Sequence, residues 1–355
     1  MVIDIILFIV AIVILIKGSD YFVESASKIA HFLGVSEFVI GLTLVSIGTS
    51  IPEFGATIIA SVTKHSDLVI GNILGSNIAN IGLILGIAAI FSTIALKREK
   101  FIIEGIFLVI VSLLFFIMAY DGIIGIFDGI ILVILFLVYI TYLIREKQHS
   151  YEKFLGYFLS LIKPRTYTKA LDEVVNHETY VRVVKNGFGL KKNKQFLADK
   201  LNKAQLTKEI IVISLGVLAI YIGARLLVNS SIAIAMDFGL SEAIIGLVMI
   251  AVGTSLPELF VSIASMRKHM SNIMMGNILG SNVANLLLIG GVGALINPIS
   301  IDRITIFYII PLMVFMAFLL FLFIRTNWVM RMLEGILFVF IYAVFIFSVL
   351  VLNVG

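Results

Sequence analysis

Apolar residues in this chain come in long, nearly unbroken runs, and charge gathers mostly in the gaps between them. From Leu68 to Leu96 there is no Asp, Glu, Lys or Arg at all. A bilayer core about 30 Å thick is crossed by roughly 20 such residues as a helix, which pairs its backbone polar groups within the segment. Ten runs meet that requirement: 2–30, 37–63, 68–96, 101–120, 122–144, 209–236, 242–266, 271–297, 303–324 and 331–352. They predict an all-α polytopic membrane protein with ten transmembrane helices. Residues 2–16 read as the start of the first span and not as a secretory leader, because Asp4 is the only early charge and no basic segment precedes the run.

Composition strengthens this picture. The chain is 60% hydrophobic and 14% charged, against about half and a quarter in soluble domains. It has no cysteine, which excludes disulfides and thiolate metal sites.

The polar residues inside the runs recur at a fixed spacing. GTSIPE at 48–53 returns as GTSLPE at 253–258, and GNILGSNIAN at 71–80 returns as GNILGSNVAN at 276–285, both displaced by 205 positions. Gly18 and Gly223, Gly41 and Gly246, and the Ser36-Glu37 and Ser241-Glu242 pairs keep that displacement without a gap. One unit has been duplicated. Each copy holds five runs, an odd number, so the second copy enters the membrane from the opposite side. The expectation is two inverted five-helix repeats, 1–144 and 208–355, joined by a loop at 145–207. In such folds ligands bind near the midplane, on interrupted helices between the repeats.

The motifs supply the interruptions. Pro52 lacks a backbone N–H and its ring clashes with the Gly48 carbonyl; Pro257 does the same to Gly253. Glu53 lies 16 residues after Glu37 and 11 before Lys64, which places it near the bilayer centre, and Glu258 is placed similarly. A carboxylate there costs roughly 2.5–3.5 kcal/mol on insertion scales. No Lys or Arg shares its depth within these two spans, so the counter-charge is a bound cation, or a proton. Thr49 and Ser50 share the face of Glu53, and Ser76 and Asn80 lie on the next span. The second set is Thr254, Ser255, Glu258, Ser281 and Asn285. Gly71, Gly75 and Gly82 predict close helix packing. Hard oxygen ligands suit Ca2+, which takes six to eight oxygens in adaptable geometry, or several Na+ ions in its place. Alone, GNILGSN is a packing face; two repeat-related intramembrane glutamates are a site. Asp20, Glu104, Asp128 and Glu334 read as interfacial.

Charge orients the chain. Placing both termini outside puts Lys97, Arg98, Lys100, Arg267, Lys268, Arg325 and Arg331 in the cytosol, and only Lys64 and Arg303 in external turns. The 145–207 loop, with 13 Lys/Arg and 6 Asp/Glu, is then cytosolic. Its basic charge fits a solvated connector.

At these motifs the sequence resembles the cation/Ca2+ exchanger superfamily, and its microbial Na+/Ca2+ exchanger branch in particular. The resemblance implies a secondary antiporter, not an enzyme, that exchanges Ca2+ for Na+ by alternating access; a monomer is expected, and the lack of a targeting segment points to the plasma membrane. It implies no cofactor besides the transported ions, and no nucleic-acid partner. Glu53 and Glu258 would be the shared carboxylates, ringed by Thr49, Ser50, Ser76, Asn80, Thr254, Ser255 and Ser281. The backbone carbonyls of Ser46 and Ala251 would join outer sites. Helices 2–30 and 209–236 would slide to alternate access. Asn285 departs from the family's acidic residue at that position, which weakens K+ cotransport and leaves stoichiometry open. An H+/Ca2+ antiporter is the alternative; a cation channel or a scaffold protein stands further off.

Overall fold

The computed structural model describes residues 2–33, 35–95, 98–145, 192–237, 253–325 and 328–354. Helix α1 (Val2–Leu33) is followed by a broken span: α2 (Glu37–Ile40), a π-helical turn (Gly41–Val45), α3 (Ser46–Thr49) and α4 (Ile51–Val62). Helix α5 (Ser66–Ala79) continues through a π-helical turn (Asn80–Leu85) into α6 (Gly86–Phe91). Then come β1 (Ile94–Ala95), α7 (Arg98–Ala119), β2 (Ile123–Ile124) and α8 (Ile126–Arg145). The second half holds α9 (Lys192–Asp237), α10 (Leu256–Arg267), α11 (Ser271–Ala284), a π-helical turn (Asn285–Ile289) and α12 (Gly290–Ile296). It ends with β3 (Ile299–Ser300), a π-helical turn (Thr305–Ile309), α13 (Ile310–Arg325), β4 (Val329–Met330) and α14 (Met332–Val354).

Eight helices are long and apolar enough to cross a membrane, and the bent pair Glu37–Thr49 and Ile51–Val62 makes up to nine among the described residues. The protein is therefore a multi-pass helical membrane protein. Of the seventh expected run, 242–266, only the part carrying α10 is described. Ser241, Glu242, Gly246 and Ala251 lie outside the described residues, as does most of the 145–207 loop. Residues 192–207 of that loop are helical and continue without a break into the span that follows.

Apolar side chains form two clusters. The larger joins α5–α8 to α11–α14, around Phe101, Phe115, Phe338 and Tyr142. The smaller joins α1 and α9 through Leu15, Phe22, Ile220 and Ala224, and reaches Leu256, Val261 and Ala264 of α10. Helices α1 and α9 approach closely because glycines line their seam: a Cβ on Gly18 would stand 3.0 Å from the Ala219 Cβ, and one on Gly223 2.8 Å from the Leu15 Cγ.

Backbone crosses backbone where α11 meets the first half of the broken span. A Cβ on Gly276 would stand 2.4 Å from the Phe38 carbonyl oxygen, one on Gly280 2.5 Å from that of Leu42, and one on Gly41 2.6 Å from that of Ile273. Only glycine permits that approach. Of the glycines expected to pack closely, Gly82 does, 2.8 Å from the Tyr342 Cβ on the same measure, whereas Gly71 and Gly75 meet nothing within 4 Å among the described residues. Glu104 also departs from expectation. It is buried, and its carboxylate accepts the Tyr139 hydroxyl at 2.7 Å, so it belongs to the α7–α8 contact and not to the interface.

Candidate ion-binding site

Proline decides the local backbone. Pro52 and Pro257 both sit in the first turn of a helix, α4 and α10, where the missing N–H costs nothing. The chain breaks just before them, at Ser50 (φ −85°, ψ 9°) and Ser255 (φ −88°, ψ 4°). At the first break the two half-helices bend by 47°. Each break leaves a half-helix N-terminus inside the protein, with Glu53 or Glu258 buried in its first turn. The positive end of a helix dipole favours a carboxylate there.

The motifs of the two halves meet. The Ser50 hydroxyl donates to Glu258 Oε1 at 3.1 Å and lies 3.2 Å from the Ser281 hydroxyl. The Ser76 and Thr254 hydroxyls are 3.4 Å apart. Thr49 donates to Asn277 Oδ1 at 3.0 Å and to the Ser46 carbonyl at 3.2 Å. That carbonyl also accepts the Ser50 N–H at 3.0 Å. Asn285 donates to Asn77 Oδ1 at 3.0 Å. Thr49, Ser50, Glu53, Ser76, Asn80, Ser255, Glu258, Ser281 and Asn285 are all buried, and Thr254 is half-buried. Of the sequence-derived set, only the Ala251 carbonyl lies outside the described residues.

Four asparagines complete the scaffold and were not singled out from sequence. Asn72 donates to the Glu53 carbonyl at 3.0 Å and to the Thr57 hydroxyl at 2.9 Å, which ties α5 to the first turn of α4. Asn277 receives Thr49, Asn77 holds Asn285, and Asn282 donates to the Ile278 carbonyl at 2.9 Å. The signal was present, since each is an Asn of the repeated GNILGSN string. Asn80 and Asn285 open π-helical turns. Such turns often mark functional sites.

The electrostatics favour a cation. Among the described residues, Glu53 Oε2, Glu258 Oε2, Asn80 Oδ1, Asn285 Oδ1 and Ser255 Oγ are buried without a hydrogen-bond partner. Carboxylate and carboxamide oxygens only accept, and leaving them unpaired out of water is costly. A hard cation removes that cost. Among the described residues no cluster of three or more His, Cys, Asp or Glu side chains exists. A cation here would rest on two carboxylates with neutral hydroxyl and carboxamide oxygens. That suits adaptable Ca2+ or Na+ coordination better than a transition metal.

Comparison with known proteins agrees. The family model described as sodium/calcium exchanger protein matches residues 3–145 and 208–351. The chain is 35% identical over 349 residues to the sodium/calcium exchanger MaX1 of Methanosarcina acetivorans, covering 97% of each. It is 31% identical to the membrane protein MJ0091 of Methanocaldococcus jannaschii, covering 96% of each. Its fold matches a solved structure of the sodium-calcium exchanger NCX_Mj, soaked with 10 mM Na+ and no Ca2+, with TM-score 0.77, 28% identity and coverage of 98% of this chain and 99% of that one. The motifs, the half-helix breaks and these matches lead to one assignment: this chain belongs to the sodium/calcium exchanger family.

Proposed function

We propose that this protein is a Na+-driven Ca2+ antiporter that binds its ions between two inverted five-span repeats and exposes them to each side of the plasma membrane in turn. The observation that carries the proposal is the meeting of four sequence-distant motifs around Glu53 and Glu258, whose Oε2 atoms are buried without a partner among the described residues. Thr49, Ser50, Ser76, Asn80, Thr254, Ser255, Ser281 and Asn285 supply further oxygens, with backbone carbonyls of Ser46 and Ala251 at the outer positions. Two carboxylates balance one Ca2+, and the same oxygens hold several Na+ ions instead. The relatives named for sodium/calcium exchange support these ions. The protein acts as a monomer in the bilayer, with both termini outside and the 145–207 loop in the cytosol.

Inversion is supported by paired contacts. Strand β1 pairs with β4 and β2 with β3, and the registers Ile94–Met330 and Ile299–Ile124 exchange under the repeat, whose offset is 205 from Ile94 to Ile299 and 206 from Ile124 to Met330. Helix α7 joins β1 to β2 with 22 residues, about 33 Å at 1.5 Å per residue. The repeat-related strands β1 and β3 therefore lie at opposite faces. Helix contacts follow the same rule: a Cβ on Gly335 would stand 2.6 Å from the Gly86 carbonyl oxygen, and one on Gly129 2.8 Å from that of Gly291. Alternating access is supported by the apolar pairing of α1 with α9, within a cluster that also takes in α10, Ile40, Val45 and Ile273.

The test is Ca2+ uptake into proteoliposomes at fixed pH. An imposed Na+ gradient is expected to drive uptake, and collapsing it is expected to stop uptake. Uptake that follows only a pH gradient would establish H+ coupling instead. Uptake indifferent to any counter-ion would establish a channel. The same assay with Asn285→Asp, which adds a third carboxylate, measures how that position sets stoichiometry.

A further inference from the structure

The two repeats carry the same site motif but are not packed alike, and ion pairs mark the difference. Helix α1 lies on α10, and it buries Leu256 (8% exposed) and Ala264 (2%). Their repeat counterparts on α4, Ile51 and Ile59, are 49% and 67% exposed. The face carrying the Arg267-Lys268 turn is therefore closed, and the opposite face is not. Across the closed seam Lys268 Nζ pairs with Glu24 Oε2 at 3.1 Å, and Arg267 Nη1 lies 3.6 Å from Asp20 Oδ2. Glu24 also pairs with Lys28 at 2.9 Å, and Lys28 lies 3.7 Å from Glu209 on α9. Glu209 in turn accepts the Ser25 hydroxyl at 2.7 Å. The network thus joins α1 and α9 to each other and then ties both to the turn between α10 and α11.

In an inverted-repeat carrier the two access states are exchanged by the symmetry, so identical halves would populate them equally. Only asymmetric residues create a preference. The counterparts of Asp20 and Glu24 are Arg225 and Asn229, and those of Arg267 and Lys268 are Val62 and Thr63. No acid–base pair can form among these four. Arg225 instead lies over the Tyr221 ring at 5.8 Å.

We infer that Asp20–Arg267 and Glu24–Lys268 form a one-sided ionic latch that holds the face of the 267–268 turn closed and so biases the carrier toward access from the other face. The inference rests on the alternating-access reading above. Solvent-exposed pairs are worth little singly, so each is expected to shift the balance by about two- to fivefold. A sliding motion of the α1–α9 unit has to break both.

The chain's lack of cysteine makes the test direct. Ala264→Cys reports opening of the latched face, and Ile59→Cys reports the other, by rate of reaction with a membrane-impermeant maleimide in oriented vesicles. Replacing Arg267→Gln and Lys268→Gln together is expected to speed labelling at position 264 several-fold and to slow it at position 59. Arg267→Asp alone should act likewise, and adding Asp20→Arg to it should restore the parental rates, which a folding defect would not do. Labelling that responds to Ca2+ and Na+ but not to the neutralising pair overturns the latch. So does opening that the charge swap fails to reverse. Labelling that ignores both ions overturns alternating access itself, and the latch with it.

Discussion

Glu53→Gln and Glu258→Gln are each expected to reduce Na+-driven Ca2+ uptake by more than about 100-fold, beyond the 10–100-fold typical of residues that only support a metal's ligands. Glutamine keeps the shape and one acceptor oxygen but removes the charge. With one carboxylate left, a bound Ca2+ keeps a net positive charge in a site where Glu53 and Glu258 are each 1% exposed. Such burial is too costly for the ion to remain. Both variants should fold, because neither Oε2 has a hydrogen-bond partner to lose among the described residues. The measurement is radiolabelled Ca2+ uptake into proteoliposomes, with thermal unfolding in detergent to establish folding. Glu104→Gln is the control: also a buried carboxylate, but bound to Tyr139 on α8, it is expected to keep uptake within about fivefold, the factor that corresponds to an ordinary hydrogen bond of about 1 kcal/mol. Parental uptake by Glu53→Gln would sink the site assignment.

The second large effect is expected at a glycine. Gly276→Ala adds one methyl group, 2.4 Å from the Phe38 carbonyl oxygen and 2.8 Å from the Gly41 Cα. Both neighbours are backbone and cannot swing away, so α11 has to move from the broken span. Overpacking of this kind costs about 1–3 kcal/mol. It also draws Ser281 from its 3.2 Å contact with Ser50. A lowered unfolding temperature together with weaker Ca2+ uptake is the expected result. Parental unfolding temperature and uptake in Gly276→Ala would refute the backbone crossing.

The span pattern and the site were legible in the chain for physical reasons. Lipid forces backbone pairing within each segment, so span after span announces itself as an apolar run such as 68–96. A duplicated motif with a proline and a glutamate in each copy marks broken helices and buried charge without any coordinates. Individual contacts were less legible. Gly71 and Gly276 hold the same motif position, and only the fold shows which backbone Gly276 crosses. Glu104 looked interfacial because it lies near a span end, and burial by α8 depends on residues 35 positions away. The last part of the central loop looked like polar connector, yet residues 192–207 extend the helix into the following span.

By itself, then, the sequence determined the class of protein, the duplication, the two half-helix breaks and the two deep carboxylates. These depend on local chemistry: chain hydrophobicity, proline geometry and the cost of charge in lipid. Only the tertiary structure decided that Ser50 reaches Glu258 rather than its own neighbour Glu53, that Asn72 and Asn277 serve different partners, and that α1 closes on α10 while Ile51 and Ile59 of α4 stay exposed. Two copies of one motif specify equivalent local structure. Which copy is covered follows from how the halves pack, and from charges such as Asp20 and Lys268 that the duplication does not share.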